Sequence, residues 1–329
     1  AKKSLTGKPI LANYMNLGLN APGIWYQMHH VIEREGLNVT GVEVPGQPLV
    51  TAGHTDHIAW GFTNVMVDDM DFYLEKINPN NPNEYEFNGN WRKMEVRKER
   101  ISVKGGEVIE KEIRFTHRGP IISEFKKLGD VAVSMSWTGH IESNESRTMY
   151  LLGKARNWDD FKNAIKTFRA TSQNIVYADV DGNIGLYCAA GVPIREKGAG
   201  TAIMPGWTDR YDWKGLVPFE ELPHAYNPAS GVLCSANNKT VGDGYPYYIS
   251  AWFVADYRFR RIKEMLATKQ MFSIEDFKNM HGDWKSKLVE DMLPDVLSVV
   301  AAAGDLTPIE RQAVTLMNNW NGVMTGESA

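Results

Sequence analysis

An α+β architecture with stacked sheets is the fold class this sequence predicts, on three observations. Alternating apolar and polar residues dominate the first two thirds of the chain. Two helical stretches interrupt those strands, and the last third turns helical with strong capping signals. The composition, 43% hydrophobic and 23% charged over 329 residues, is that of a globular chain with a large core.

The elements follow in order. Thr6-Gly7-Lys8-Pro9 reads as a turn feeding the apolar run Ile10, Leu11, Ala12. The stretch from Met94 to Ile122 alternates around Gly105-Gly106, which predicts a hairpin. "DVAVSMSW" has the same period, and "NIVYADVDGNIGLYCAAG" reads as two strands joined at Asp181-Gly182. Between them, "TMYLLGKA" and "NWDDFKNAIKTF" predict helices, the second capped by Asn157. Later, Ser273 with Asp276 forms a variant capping box, and Thr307, Pro308 and Glu310 form a complete one. Residues 1–250 therefore read as a β-rich core and 251–329 as a mainly helical segment. The chain opens on a turn without Met and stops soon after its last helix, so it reads as part of a longer protein.

A net charge of -4 gives no electrostatic footprint for nucleic acid. No apolar run approaches the length that crosses a membrane. Cys188 and Cys234 form neither a disulfide framework nor a zinc motif. Both lie in apolar, strand-like runs and read as free thiols, with a disulfide open if the two strands are neighbours.

Several constellations carry potential chemistry. His54 and His57 form an HxxH, but on a strand residues three apart face opposite ways. Zinc held there would make a metallohydrolase inhibited by chelators. Asp68, Asp69 and Asp71 place three carboxylates in four residues, which suits either a hard cation or a solvated turn. "DVDGN" imitates the start of a calcium loop, yet its glycine is misplaced and no closing Glu follows, so it reads as a turn. Asn237-Asn238 suits a turn, or an amide donor to an oxyanion. No serine occupies a G-x-S-x-G elbow.

Read in order, "TGKPILAN", "GLNVTGVEVPGQPLVTAGHTDHIAWGFTN", "NIVYADVDGNIGLYCAAGVPIR", "MPGWTDRYDWKGLVPFEELPHAYNPASGVLCSANNK" and "YRFRRIKEML" resemble the β chain of the penicillin acylase family. "THRGPII" and "SWTGH" fit the same pattern, and the resemblance spans nearly the whole chain. It implies the four-layer αββα fold of N-terminal nucleophile hydrolases, in an incomplete form. It also implies hydrolysis of an amide in a small N-acyl substrate, as in penicillin, cephalosporin and acyl-homoserine-lactone acylases.

The family's precursor cuts itself, and the new N-terminal Ser becomes the nucleophile. Gly7 to Asn13 matches the stretch that follows this serine, placing it roughly seven residues ahead of Ala1. The chain as given is then an inactive fragment that an α chain from the same precursor would join. The resemblance assigns Asn64 a backbone N–H in the oxyanion hole, Asn237 the side-chain donor, Arg258 the orientation of that Asn, and Asn16 a contact to the nucleophile's amine. Leu17, Thr51, Ala52 and Phe62 match positions lining the acyl pocket. Asp68, Met70 and Asp71 match calcium ligands, although "YPYYISAWF" lacks a further aspartate of that set. The chain reads Asn13-Tyr14-Met15-Asn16-Leu17 where the family often has N-D-P-H-L. Relatives are periplasmic or secreted, and the same is expected here. The alternative class is a non-catalytic, calcium-dependent binding module on the same fold.

Overall fold

The structure, a computed structural model, describes residues 2–15, 17, 18 and 20–328. Its centre is a seven-stranded sheet in which every neighbouring pair is antiparallel. The spatial order is Tyr26–Ile32, Leu37–Glu43, Ala52–His54, Ile58–Asn64, Gln173–Asp179, Ile184–Ala189 and His224–Tyr226. The α+β class is as expected, and the strands end at Tyr226, before the helical segment begins at Tyr257.

Register explains which face is buried. Trp60 lies opposite Tyr177, and Ile175 lies between Phe62 on one neighbour and Tyr187 on the other. These residues share one face because cross-strand partners point the same way. The helices Glu145–Leu152 and Trp158–Ile165 cover that face with Met149, Leu152, Phe161, Ala164 and Ile165. Trp158 reaches furthest, with its ring 4.7 Å from Tyr226 and 5.1 Å from Tyr177. Gly185 makes room for it: a Cβ there would lie 2.3 Å from the indole. Each such large apolar side chain contributes about 1.5–3 kcal/mol by burial.

Local signals set the helix ends. Asn157 accepts from the Asp160 N–H at 2.9 Å. The preceding helix starts at Glu145, three residues before the expected Thr148, because the Asn144 side chain accepts from the Arg147 N–H at 2.8 Å. The expected hairpin forms from Glu95–Ile101 and Ile109–Phe115. At Asp179–Asn183 the Asp179 carboxylate accepts from both the backbone and the side chain of Asn183, so this segment is a turn. Cys188 lies on a strand, and burial pushes its thiol up to about 12. Cys234, expected in a strand, sits in irregular chain; both thiols are free.

A smaller sheet carries Ala132–Trp137, Met70–Glu75 and Ile203–Pro205, the last pair parallel. Its buried Glu75 accepts from Ser134 Oγ at 2.6 Å and pairs with Arg118, which also binds Asp212 at 2.6 Å. The C-terminal helices are Tyr257–Ala267, Ile274–His281, Lys287–Ala302 and Pro308–Asn319. Both expected capping boxes are present, at Ser273 and Thr307. Among the described residues no helix is long and apolar enough to cross a membrane.

Candidate active site

The site grows from the end of the Ile58–Asn64 strand. Val65 donates its N–H to Ser172 O at 3.1 Å, on the Gln173–Asp179 side. Hydrogen bonds along an antiparallel strand alternate between its two edges. Asn64 therefore turns its own N–H and C=O to the opposite edge, as Phe62 does. On that edge the short Ala52–His54 strand pairs only with Ala59 and Trp60. Asn13 takes over at Phe62: its Nδ2 donates to Phe62 O, and Phe62 N–H donates to its Oδ1, both at 3.0 Å. Gly61 permits this approach, since a Cβ there would lie 2.6 Å from the Asn13 side chain. One carboxamide thus continues the ladder where the strand stops.

Two residues further, a second carboxamide arrives. Asn237 Nδ2 donates to Asn64 O at 3.0 Å. Asn237 sits at φ 64°, in the left-handed region that Asn tolerates better than most residues. Its loop is held by Val254 N–H donating to Asn237 O and by Ala236 N–H donating to Asn238 Oδ1, both at 3.0 Å. Arg258, in the first turn of the Tyr257–Ala267 helix, donates from Nη2 to Asn237 Oδ1 at 2.6 Å and to Ala236 O at 3.1 Å. A guanidinium can only donate, so it captures the amide oxygen and leaves Nδ2 facing Asn64. The Asn64 side chain is held separately, its Oδ1 accepting from Gln173 Nε2 at 2.6 Å. Asn64, Asn237 and Arg258 are therefore brought together. Asn16 lies outside the described residues.

These groups open on a cavity of about 850 Å³. Met15, Leu17, Phe62, Met149 and Phe168 line it, with Thr51 among the polar groups. The Phe62 and Phe168 rings lie 6.3 Å apart. Of the four expected pocket residues, Leu17, Thr51 and Phe62 reach the cavity. Ala52 does not: it is buried in the core, because successive residues along a strand face opposite ways. Sequence reasoning missed Met149 and Phe168, which are apolar residues with no chemical signal. It also missed Asn13, which stood in plain view in "TGKPILAN". In the cavity wall Ser235 Oγ accepts from Thr63 Oγ1 at 2.9 Å and from Asn174 Nδ2 at 3.2 Å, tying the Asn237 loop to the sheet. An aligned N–H, a carboxamide donor and a cation behind it can stabilise a negative oxygen beside an apolar wall.

The expected calcium ligands meet a different cation. Arg195 binds both oxygens of Asp71, from Nε at 2.8 Å and from Nη2 at 3.0 Å. The same Nη2 donates to Asp68 O at 2.7 Å. Trp213 Nε1 also donates to Asp71 at 2.6 Å. Asp68 Oδ2 accepts from Gly200 N–H at 2.8 Å and from Tyr248 OH at 3.0 Å. Burial and the Asp68 carboxylate push the Tyr248 phenol up to about 12, so it stays a donor. Asp68 Oδ1 and the Met70 carbonyl do converge beside Gly200, where an added Cβ would lie 2.0 and 2.4 Å from them. Two oxygens fall short of the roughly six to eight that calcium takes, so the residues present do not fit that ion. His54 and His57 are exposed, and no group of three or more metal-binding side chains occurs among the described residues.

With this geometry in place, comparison with known proteins is informative. The family model described as penicillin amidase matches residues 1–329. Penicillin acylase 2 proenzyme of Pseudomonas sp. (strain SE83) is 29% identical over 99% of this chain and 42% of its own length. Penicillin G acylase of Escherichia coli is 30% identical over 98% of this chain and 38% of its own. The acyl-homoserine lactone acylase QuiP of Pseudomonas fluorescens (strain Pf0-1) is 30% identical over 80% of this chain and 32% of its own. The chain thus spans about two fifths or less of the length of these relatives. Among solved structures, a thermostable penicillin G acylase from Alcaligenes faecalis superposes with a TM-score of 0.76 at 28% identity, over 93% of this chain and 55% of that one.

Proposed function

The chain belongs to the penicillin amidase family, and from that premise we propose that the complete protein hydrolyses the amide bond of a small N-acyl substrate at the Asn64–Asn237 edge. Its fold is that of the N-terminal nucleophile hydrolases. The observation that carries the proposal is the Asn237 carboxamide, 3.0 Å from Asn64 O and held from behind by Arg258.

The nucleophile we assign to the serine that the family resemblance puts ahead of this sequence. Its Oγ attacks the amide carbon, and a C–O bond forms. The proton passes to the serine's own α-amine, whose ordinary pKa of about 7.7–8 suits the task. The carbonyl oxygen takes the negative charge and accepts from Asn64 N–H and Asn237 Nδ2. As the C–N bond breaks, the amine returns the proton to the leaving nitrogen. Water then attacks the ester by the same route and releases the acid. The apolar wall of Leu17, Phe62, Met149 and Phe168 receives the acyl chain. An α chain from the same precursor completes the protein, which works in the periplasm or outside the cell.

The test is amide hydrolysis by the full-length product over a panel of acyl chain lengths, with Asn237→Gly as the variant. Glycine keeps the left-handed backbone and removes only the carboxamide. We expect kcat to fall about 100- to 1000-fold. An unchanged kcat removes Asn237 from the mechanism, and a full-length protein inert on every amide removes the proposal.

A further inference from the structure

We infer that the guanidinium of Arg195 does here the work that a divalent cation would do, so that this part of the protein is built to be independent of metal. Asp68, Asp69 and Asp71 bring negative charge into a region where Asp71 is wholly buried and Asp68 nearly so. A buried carboxylate without a partner is costly, and a cation or strong donors must answer it. Arg195, its side chain only 3% exposed, meets Asp71 through a two-pronged contact. Such a fork-to-carboxylate pair is directional as well as strong. Its ring neighbours complete the enclosure, with Trp213 at 5.6 Å and Tyr248 at 5.8 Å from the guanidinium carbon.

The connections are those a bound cation would make. Arg195 stands on the Pro193–Arg195 strand, which pairs with Trp213–Leu216. Through Asp68 O and Asp71 it holds the 65–71 segment, which leaves directly from Asn64. Through Asp68 that segment also meets Gly200, Tyr248 and, by its backbone N–H, Ile249 O at 2.8 Å. From Ile249 the chain runs on to Val254, whose N–H holds Asn237. The guanidinium therefore joins its own strand to the 65–71 segment, and Asp68 carries the connection on to Gly200, Tyr248 and Ile249. The donors from Trp213, Gly200 and Tyr248 answer the carboxylate charge that a single positive group leaves over. Asp69, which does not touch Arg195, is raised by burial and hydrogen-bonded to Thr138 instead.

This inference needs no acyl transfer, so its test stands apart from that of the proposed activity. Thermal unfolding of the full-length protein is followed with calcium chloride and with a chelator, and calcium bound to the purified protein is measured by elemental analysis. We expect the same Tm in both solutions and no stoichiometric calcium. For Arg195→Ala we expect a Tm lower by on the order of 10 °C. Added calcium should recover part of that loss, because the two aspartates are then free to take it. If Arg195→Ala does not fold, Arg195→Lys keeps the charge without the fork and should show a smaller loss that calcium does not reverse. Stoichiometric calcium in the wild-type protein, or a Tm that falls on chelation, overturns the inference. So does an Arg195→Ala protein as stable as the wild type.

Discussion

Two regions of this molecule obey the same local rules and end in different states. The helix Trp158–Ile165 and the helix Pro308–Asn319 both begin at a side-chain cap and both carry an apolar stripe. The first buries Phe161, Ala164 and Ile165 against the seven-stranded sheet. The second has no fully buried residue, only half-buried ones such as Val314 and Met317, and its Ile309 and Leu316 are exposed. The same holds for Ile274–His281 and Lys287–Ala302. Capping decides where a helix starts, whereas only a partner surface decides how much that helix stabilises. In the C-terminal segment charge does part of the joining, as Arg260 binds Asp291 between two helices and Arg261 binds Asp283 in the connection ahead of Lys287–Ala302.

The sharpest way to break that comparison is truncation. In the 329-residue chain, where Phe161 is buried and Leu316 exposed, Phe161→Ala should cost about 3–5 kcal/mol, measured by chemical denaturation. Leu316→Ala should cost about 0.5 kcal/mol or less. Equal losses would mean that the two helices are equally packed, and the contrast would fail. A smaller effect is expected at the caps. Thr307→Ala should remove about 1 kcal/mol and show as faster amide exchange confined to residues 308–319. Uniformly faster exchange would place the cap's influence in the whole protein.

The smallest effect is a pH dependence. The Lys269 ammonium, and then the N–H and hydroxyl of Ser273, hold the Asp276 carboxyl down at about 2. A depressed folded value stabilises above the unfolded value of about 3.9 and is lost as pH falls toward the folded one. Exchange protection of residues 274–281 should therefore weaken between about pH 4 and 2, and Asp276→Asn should remove that pH dependence. An ordinary carboxyl titration for Asp276 by NMR would show that the box is not closed in solution.

The site was legible to different depths. Asn64 and Arg258 come from the resemblance alone, whereas Asn237 also stands out in the sequence as a carboxamide that suits either a turn or an oxyanion donor. The aspartates at 68 and 71 were visible as a cluster, but not their partner, because Arg195 lies 124 residues from Asp71. Ala52 was assigned to the pocket and proved to be core, an error of one residue on a strand, where one residue reverses the facing side.

What the sequence determined by itself are the features closed within a few residues. They are the Gly105-Gly106 hairpin, the turn at Asp179–Asn183, the Asn157 cap and the boxes at Ser273 and Thr307. In each, donor and acceptor are neighbours in the chain, so residue type and spacing specify the contact. The tertiary structure alone decided that Asn237 meets Asn64 across 173 residues, that Asn13 completes the strand edge, and that Arg195 stands among the aspartates. Those contacts depend on how a twisted sheet brings distant loops to one edge, and no local pattern of residues records that distance.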